Sequence, residues 1–161
     1  AERQFLSLEK GGFDGIFAAG SHQAQRKGVL KIDWPIAHVK LFLYCNISPC
    51  NHDVLLDPSN MMHTTRGYVG LLENEFGIIP SAQIKPNELY KTLEKLMKIG
   101  ELDYLLLGEI ESLPLQGYDK VEIGYYALYH LINEKHEALI PAIKASMKKH
   151  MGHIADFMQN Q

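Results

Sequence analysis

No apolar run in this chain approaches the roughly 20 residues needed to span a bilayer as a helix. Positive charge is not in excess either. Sixteen Lys and Arg stand against 19 Asp and Glu, a formal charge of -3, so the basic footprint of a nucleic-acid binder is absent. The opening Ala1-Glu2-Arg3-Gln4 is not a basic stub leading into an apolar core, so no secretory signal is read there. There is no internal repeat, low-complexity tract or linker. Also missing are a Gly-x-Ser-x-Gly elbow, a His-Glu-x-x-His pair, a P-loop and a Gly-x-Gly-x-x-Gly turn. With those signatures gone, no catalytic residue and no cofactor is assigned.

Cysteine is scarce. Cys45 and Cys50 are separated by Asn-Ile-Ser-Pro, close enough to bridge in an oxidising compartment, although the pair alone does not report the compartment. With His52 and a distant His63 they also spell a Cys-x4-Cys-x-His pattern. Zinc would need four ligands converging on one point, and structural sites use tighter paired spacings, so no metal is assigned. The eight histidines lack metal spacing and read as surface residues.

What is present is ordinary globular composition, 46% hydrophobic and 22% charged, which argues against disorder in a chain of 161 residues. Phe5 and Leu8 share a face of a short helix over 2–10, ended by Gly11-Gly12. Phe13 to Ala19 suits a buried strand, Ser21 to Lys27 a turn or single helical turn, and Leu30 to Ile32 a further strand. The Val-, Leu- and aromatic-rich stretch from Ile36 to Asn46 reads as a strand, with a helix capped by Asp33 and opened by Pro35 as its competitor. Met61 to Thr65 is a brief strand, followed by a helix from about Tyr68 to Phe76 with Val69, Leu72 and Phe76 in helical period.

Pro86 is expected to open a helix over Asn87 to Ile99, with Leu89, Leu93, Leu96 and Met97 as its stripe. Tyr104 to Leu107 is a buried strand, and Val121 to Ile132 a strand running into a loop. A last helix over Lys135 to His150 carries Leu139, Ile143 and Met147, stops at Gly152, and is followed by a second short apolar segment. Helix alternating with short strand points to an α/β fold. An all-helical reading stays open, because short apolar runs do not separate strand from helix. It would make the chain a small protein–protein interaction module, such as a toxin-neutralising partner.

Two arginines stand out. Arg26 and Arg66 each lie in a short polar segment beside an apolar run, which places them at the mouth of a sheet, where a guanidinium can clamp a carboxylate. The plainer reading of either is a solvated surface arginine. Around Thr64-Thr65-Arg66-Gly67-Tyr68 a strand–glycine–helix turn would add free backbone N–H groups, and Tyr68 would either stack on a ligand or cover the core.

These segments resemble, in order, the bacterial extracellular solute-binding protein family 3. Gly12-Phe13-Asp14-Gly15-Ile16-Phe17 followed by Gln25-Arg26-Lys27 and Leu30 is similar to that family's strand, ligand loop and arginine. Ile32-Asp33-Trp34-Pro35-Ile36 resembles its crossing segment, and Thr65-Arg66-Gly67-Tyr68 its second-lobe ligand loop. Leu96-x-x-x-Gly100-x-x-Asp103-Tyr104 is similar to its helix–glycine–aspartate–strand step, and the C-terminal helix with Gly152 to its return to the first lobe.

The resemblance implies a type II periplasmic-binding-protein-like α/β fold, with one complete lobe and part of the other, the N-terminal part of lobe one being absent. It implies 1–35 as partial lobe one, 36–126 as lobe two and 127–161 as the return, with hinge closure at strand 36–46 and near 118–126. The expected activity is non-catalytic binding of a small polar solute, an amino acid or related carboxylate, outside the cytoplasm. The expected partner is a membrane permease or a sensor kinase. Arg26 would pair with a ligand carboxylate with Ser21 nearby, while Thr65, Arg66, Gly67 and Tyr68 would line the opposing lobe. Glu109 would face the ligand's cationic group. The sequence departs from the family where an ammonium-binding aspartate is usual, which is Gly108 here, and where a hydroxyl residue is common, which is Ala19.

Overall fold

A computed structural model describes residues 2–65, 68–87, 89–109, 115 and 117–159. In chain order the first half contains α1 (Glu2–Glu9), β1 (Gly15–Gly20), β2 (Val29–Lys31), β3 (Ala37–Cys45) and β4 (Met61–Thr65). The second half contains α2 (Leu71–Phe76), β5 (Gln83–Asn87), α3 (Tyr90–Lys98), β6 (Tyr104–Glu109), β7 (Asp119–Asn133) and α4 (Ile140–Gln159). Short 3-10 helices occupy Ser21–Gln25, His52–Leu56 and Glu134–Leu139. The strands exclude the all-helical reading, and with it the small helical interaction module. Two compact units emerge, one of residues 38–127 and one of residues 2–37 with 128–161.

The unit of residues 38–127 is built on a mixed sheet. β3 runs antiparallel to β6, in register from Lys40 opposite Glu109 to Cys45 opposite Tyr104. β4 is parallel to both β6 and β5. Val39 is buried between exposed His38 and Lys40, so β3 begins half-covered, and from Leu41 to Cys45 every residue is buried. That second half is covered on both faces, which explains its unbroken apolar run. Phe42, Tyr44, Leu105 and Leu107 pack with Leu93 and Met97 of α3, four residues apart on one helix face. Each fully buried Leu or Met side chain there contributes roughly 1.5–3 kcal/mol. Asn46 ties the end of β3 to this helix, donating to the Met97 carbonyl at 2.9 Å and the Leu102 carbonyl at 2.6 Å.

Several expected elements shift. Pro86 and Asn87 end β5 rather than open a helix, and α3 starts at Tyr90 with Leu89 largely exposed. Proline is tolerated in β5 because that strand is the sheet edge, where a missing N–H breaks no second ladder. The helix expected from Tyr68 starts at Leu71, and Val69 is exposed. Cys45 and Cys50 form a disulfide, so their sulfurs are unavailable as zinc thiolates and the zinc pattern falls.

In the other unit, the end of β7 pairs antiparallel with β1 and with β2, Leu131 and Ile132 being opposite residues of both. α1 lays Phe5 and Leu8 against Ala19, Val29 and Leu131, while Met147 of α4 packs with Ile32, Ile36 and Ile132. Buried Asn133 links the two ends of the unit's sequence, donating to the Leu8 carbonyl at 2.6 Å. β1 is not the buried strand that its apolar run suggests, because Phe17 is 72% exposed and tilts against His130 at 4.7 Å. The C-terminal helix does not stop at Gly152 but continues to Gln159. A glycine inside a helix costs only about 1 kcal/mol relative to Ala, and it stops one when it turns left-handed. Gly77 does so after α2, with φ 65°.

Candidate solute site at the carboxyl ends of β4 and β6

In the unit of residues 38–127, Met62, His63 and Thr64 sit opposite Tyr104, Leu105 and Leu106, so parallel β4 and β6 end side by side. β4 continues to β5 on one flank, and the chain then returns through α3 to β6 on the other. Right-handed crossovers in opposite directions put α2 and α3 on opposite faces, the kind of reversal beyond whose carboxyl strand ends open α/β sheets bind ligands. Buried Thr64 fixes the end of β4, its hydroxyl donating to the Leu106 carbonyl at 2.7 Å, and Thr65 is the last strand residue.

Tyrosines gather at this end. Tyr68, just after β4, meets Tyr126 of β7 edge-on at 6.3 Å and bonds to it hydroxyl to hydroxyl. The Tyr68 hydroxyl also occupies the space over Gly108: a Cβ built on Gly108 would overlap it and lie 2.8 Å from Val39 Cγ1. Position 108 is therefore closely packed, and a side chain there would have to displace the Tyr68 ring and Val39. Tyr90 is near enough to Tyr44 and to Tyr68 for charge to be felt within each pair. Burial, then the Glu109 carboxylate, pushes the Tyr44 phenol well above its usual range. Burial, reinforced by Tyr68, does the same for Tyr126, and burial followed by Glu94 raises Tyr90. All three stay protonated donors at any physiological pH.

Glu109 ends β6 with its side chain 17% exposed. It takes a salt bridge from Lys120 Nζ at 2.9 Å and a hydrogen bond from the Tyr44 hydroxyl at 3.3 Å. Lys120 in turn lies 4.3 Å over the Phe42 ring. This pair of opposite charges is only partly solvated, where Coulomb attraction is stronger than on open surface.

Of the residues singled out in the sequence, the structure brings Thr65, Tyr68 and Glu109 to the same strand ends. Arg66 and Gly67 lie outside the described residues. α2, with six residues, is too short to supply the helix-start anion site expected after Gly67. Ser21 begins the 3-10 helix after β1 in the other unit. Arg26 follows that helix, and its guanidinium is occupied within its own unit by Glu9 at 3.1 Å, Gln23 at 3.2 Å and the face of Phe5. Tyr44, Tyr90, Lys120 and Tyr126 carry no local sequence signal. Strand register and chain crossovers bring them here, and neither is written in spacing along the chain.

No protein-family profile and no curated protein matches the chain. Solved structures do. One is the ancestral amino acid-binding protein AncCDT-1, named as a precursor of cyclohexadienyl dehydratase, with TM-score 0.70 at 15% identity over 96% of this chain and 72% of that one. A second is a binding component of an ABC transporter from Wolinella succinogenes complexed with lysine, with TM-score 0.68 at 15% identity over 99% of this chain and 74% of that one. A third is the periplasmic VFT2 domain of Bordetella pertussis BvgS, with TM-score 0.57 at 12% identity over 86% of this chain and 63% of that one. This chain thus spans roughly two thirds to three quarters of each. The chain has the type II periplasmic-binding-protein fold.

Proposed function

We propose that this protein binds a small polar solute, an amino acid or related carboxylate, without chemistry. Thr65, Arg66, Gly67, Tyr68 and Glu109 form the contact set. The observation that carries the reading is that Thr65 and Glu109 end neighbouring parallel strands, with the Tyr68 hydroxyl over Gly108, at the strand ends where α/β folds place ligands. It is supported by the likeness to an amino acid-binding protein and to a lysine-bound transporter component. The bound solute would be delivered to a membrane permease or reported to a sensor kinase. A location outside the cytoplasm is supported by the Cys45–Cys50 disulfide and by the periplasmic origin of the BvgS domain.

A thermal-shift screen against amino acids, polyamines and small carboxylates tests the reading. A solute at ~100 times its Kd adds about 2.7 kcal/mol, which raises Tm by several degrees. The expected hit is lost in Thr65→Val combined with Tyr68→Ala. Loss in Arg26→Ala as well would assign Arg26 to the ligand, and retention would leave it to Glu9. No hit across the panel would sink the proposal.

A further inference from the structure

Among the described residues of the 38–127 unit, lysine meets glutamate in Lys40–Glu122 at 3.2 Å, Lys98–Glu94 at 2.6 Å and Lys120–Glu109 at 2.9 Å. In the first two the carboxylate is 43% and 31% exposed, so they are surface pairs of small worth. The Glu109 side chain is 17% exposed and also accepts from the Tyr44 hydroxyl at 3.3 Å. Lys120 Nζ lies 4.3 Å over the Phe42 ring and 5.8 Å over the Tyr44 ring. A carboxylate and two aromatic faces around one ammonium make a cation cage, with charge on one side and ring quadrupoles on the other.

The walls of the cage are set without the lysine. Phe42, Tyr44 and Glu109 are held by the β3–β6 register and by packing under α3. Lys120 comes from the start of β7, its side chain 37% exposed. Tyr68 and Tyr90 pack against the same cluster as Phe42 and Tyr44, so the cage adjoins the tyrosines of the candidate site. Lys40 lies opposite Glu109 in register but is committed to Glu122. Resting on the solute-binding reading above, we propose that the cage is the subsite for a cationic group of the ligand, an ammonium or guanidinium. Lys120 is its built-in occupant, which that group displaces. A cationic solute therefore competes with a tethered ammonium, and its apparent affinity is lowered by the fraction of molecules whose cage is filled. A neutral solute leaves Lys120 in place and gains nothing from Glu109.

The test is isothermal titration with matched pairs that differ in the terminal group alone: lysine against norleucine, and arginine against citrulline. The wild-type chain is expected to bind the cationic member about tenfold tighter, the equivalent of one charged hydrogen bond. Lys120→Met keeps an apolar stem over Phe42 and empties the cage of charge. It should bind lysine and arginine tighter by a further factor of about ten, with norleucine and citrulline unchanged. Glu109→Gln, close in shape, should erase the preference in both pairs. Lys40→Met removes an equal charge beside the cage without emptying it, and should raise lysine and arginine binding far less. An equal rise in Lys40→Met, or no rise in Lys120→Met, overturns this inference while the solute-binding reading stands. So does a hit in the wider screen when none of the four probes binds either protein. If nothing in the wider screen binds at millimolar concentration, both fall.

Discussion

The two units spend their apolar residues differently. In residues 38–127, β3 and β6 are sandwiched between layers, and Leu41, Leu43, Leu105 and Leu106 are wholly inaccessible. In the other unit, β1 leaves one face open, with Phe17 72% exposed, and polar links such as Asp14 with His136 at 2.7 Å and Lys135 at 3.0 Å stitch its surface. The difference follows from topology. β4, β5 and β6 are parallel and need the crossover helices α2 and α3, the latter also packing on antiparallel β3, whereas an antiparallel sheet can leave one face wet. The closed unit also carries the candidate site, as expected where function needs side chains held by a rigid scaffold.

The comparison breaks most visibly by core truncation. Leu105→Ala and Leu131→Ala remove wholly buried side chains from the two units and should each cost roughly 2–5 kcal/mol in urea unfolding. The larger loss is expected at Leu105. Its neighbours are fixed from both faces, while those of Leu131 include short α1, which can settle into the space. A larger loss at Leu131 would contradict the contrast drawn here.

A smaller effect comes from the disulfide. Removing it with Cys45→Ser and Cys50→Ser opens a loop of sequence separation 5 and should cost about 2 kcal/mol by the chain-entropy account. That loss should appear in unfolding of the 38–127 unit and leave hydrogen exchange of the Leu131 amide unchanged at conditions where exchange is local.

The smallest effect is in pH. His63 of β4 is held below the ordinary 6.5 by burial and then by Lys85, with Asp103 opposing, and His130 of β7 is held below it by burial. Both remain neutral in the folded state where the unfolded chain already takes up a proton. Stability is therefore level above about pH 6.5 and falls as pH drops below it towards the folded values. NMR titration of the two imidazoles, one in each unit, checks this. A midpoint at or above the ordinary value for either would remove its contribution.

Much of the architecture is legible along the chain, and the reason is local. The strand at β3, the four-residue apolar run of β6 and the Leu93–Met97 spacing of α3 each report burial through their own periodicity. Misplacements occur where context overrides pattern. The Pro86 signal fits a helix start, but that residue is at a sheet edge. The aromatic run at β1 fits a buried strand but lies where one face is left open. The site is half legible for the same reason. Thr65, Tyr68 and Glu109 follow strand ends and can be found by locating those ends. The Lys120 partner of Glu109 depends on where β7 lies beside β3, a pairing across the sheet that spacing does not encode.

The central claim is that solute binds in the 38–127 unit beyond β4 and β6. Ring-labelled tyrosine NMR during titration with the solute found by the thermal-shift screen tests it most directly, because tyrosines mark both units. The account predicts shifts at Tyr44, Tyr68, Tyr90 and Tyr126, with Tyr129, which stacks under Lys31 in the other unit, left unmoved. Shifts confined to Tyr129, or a bound ligand that moves none of the four, would contradict it.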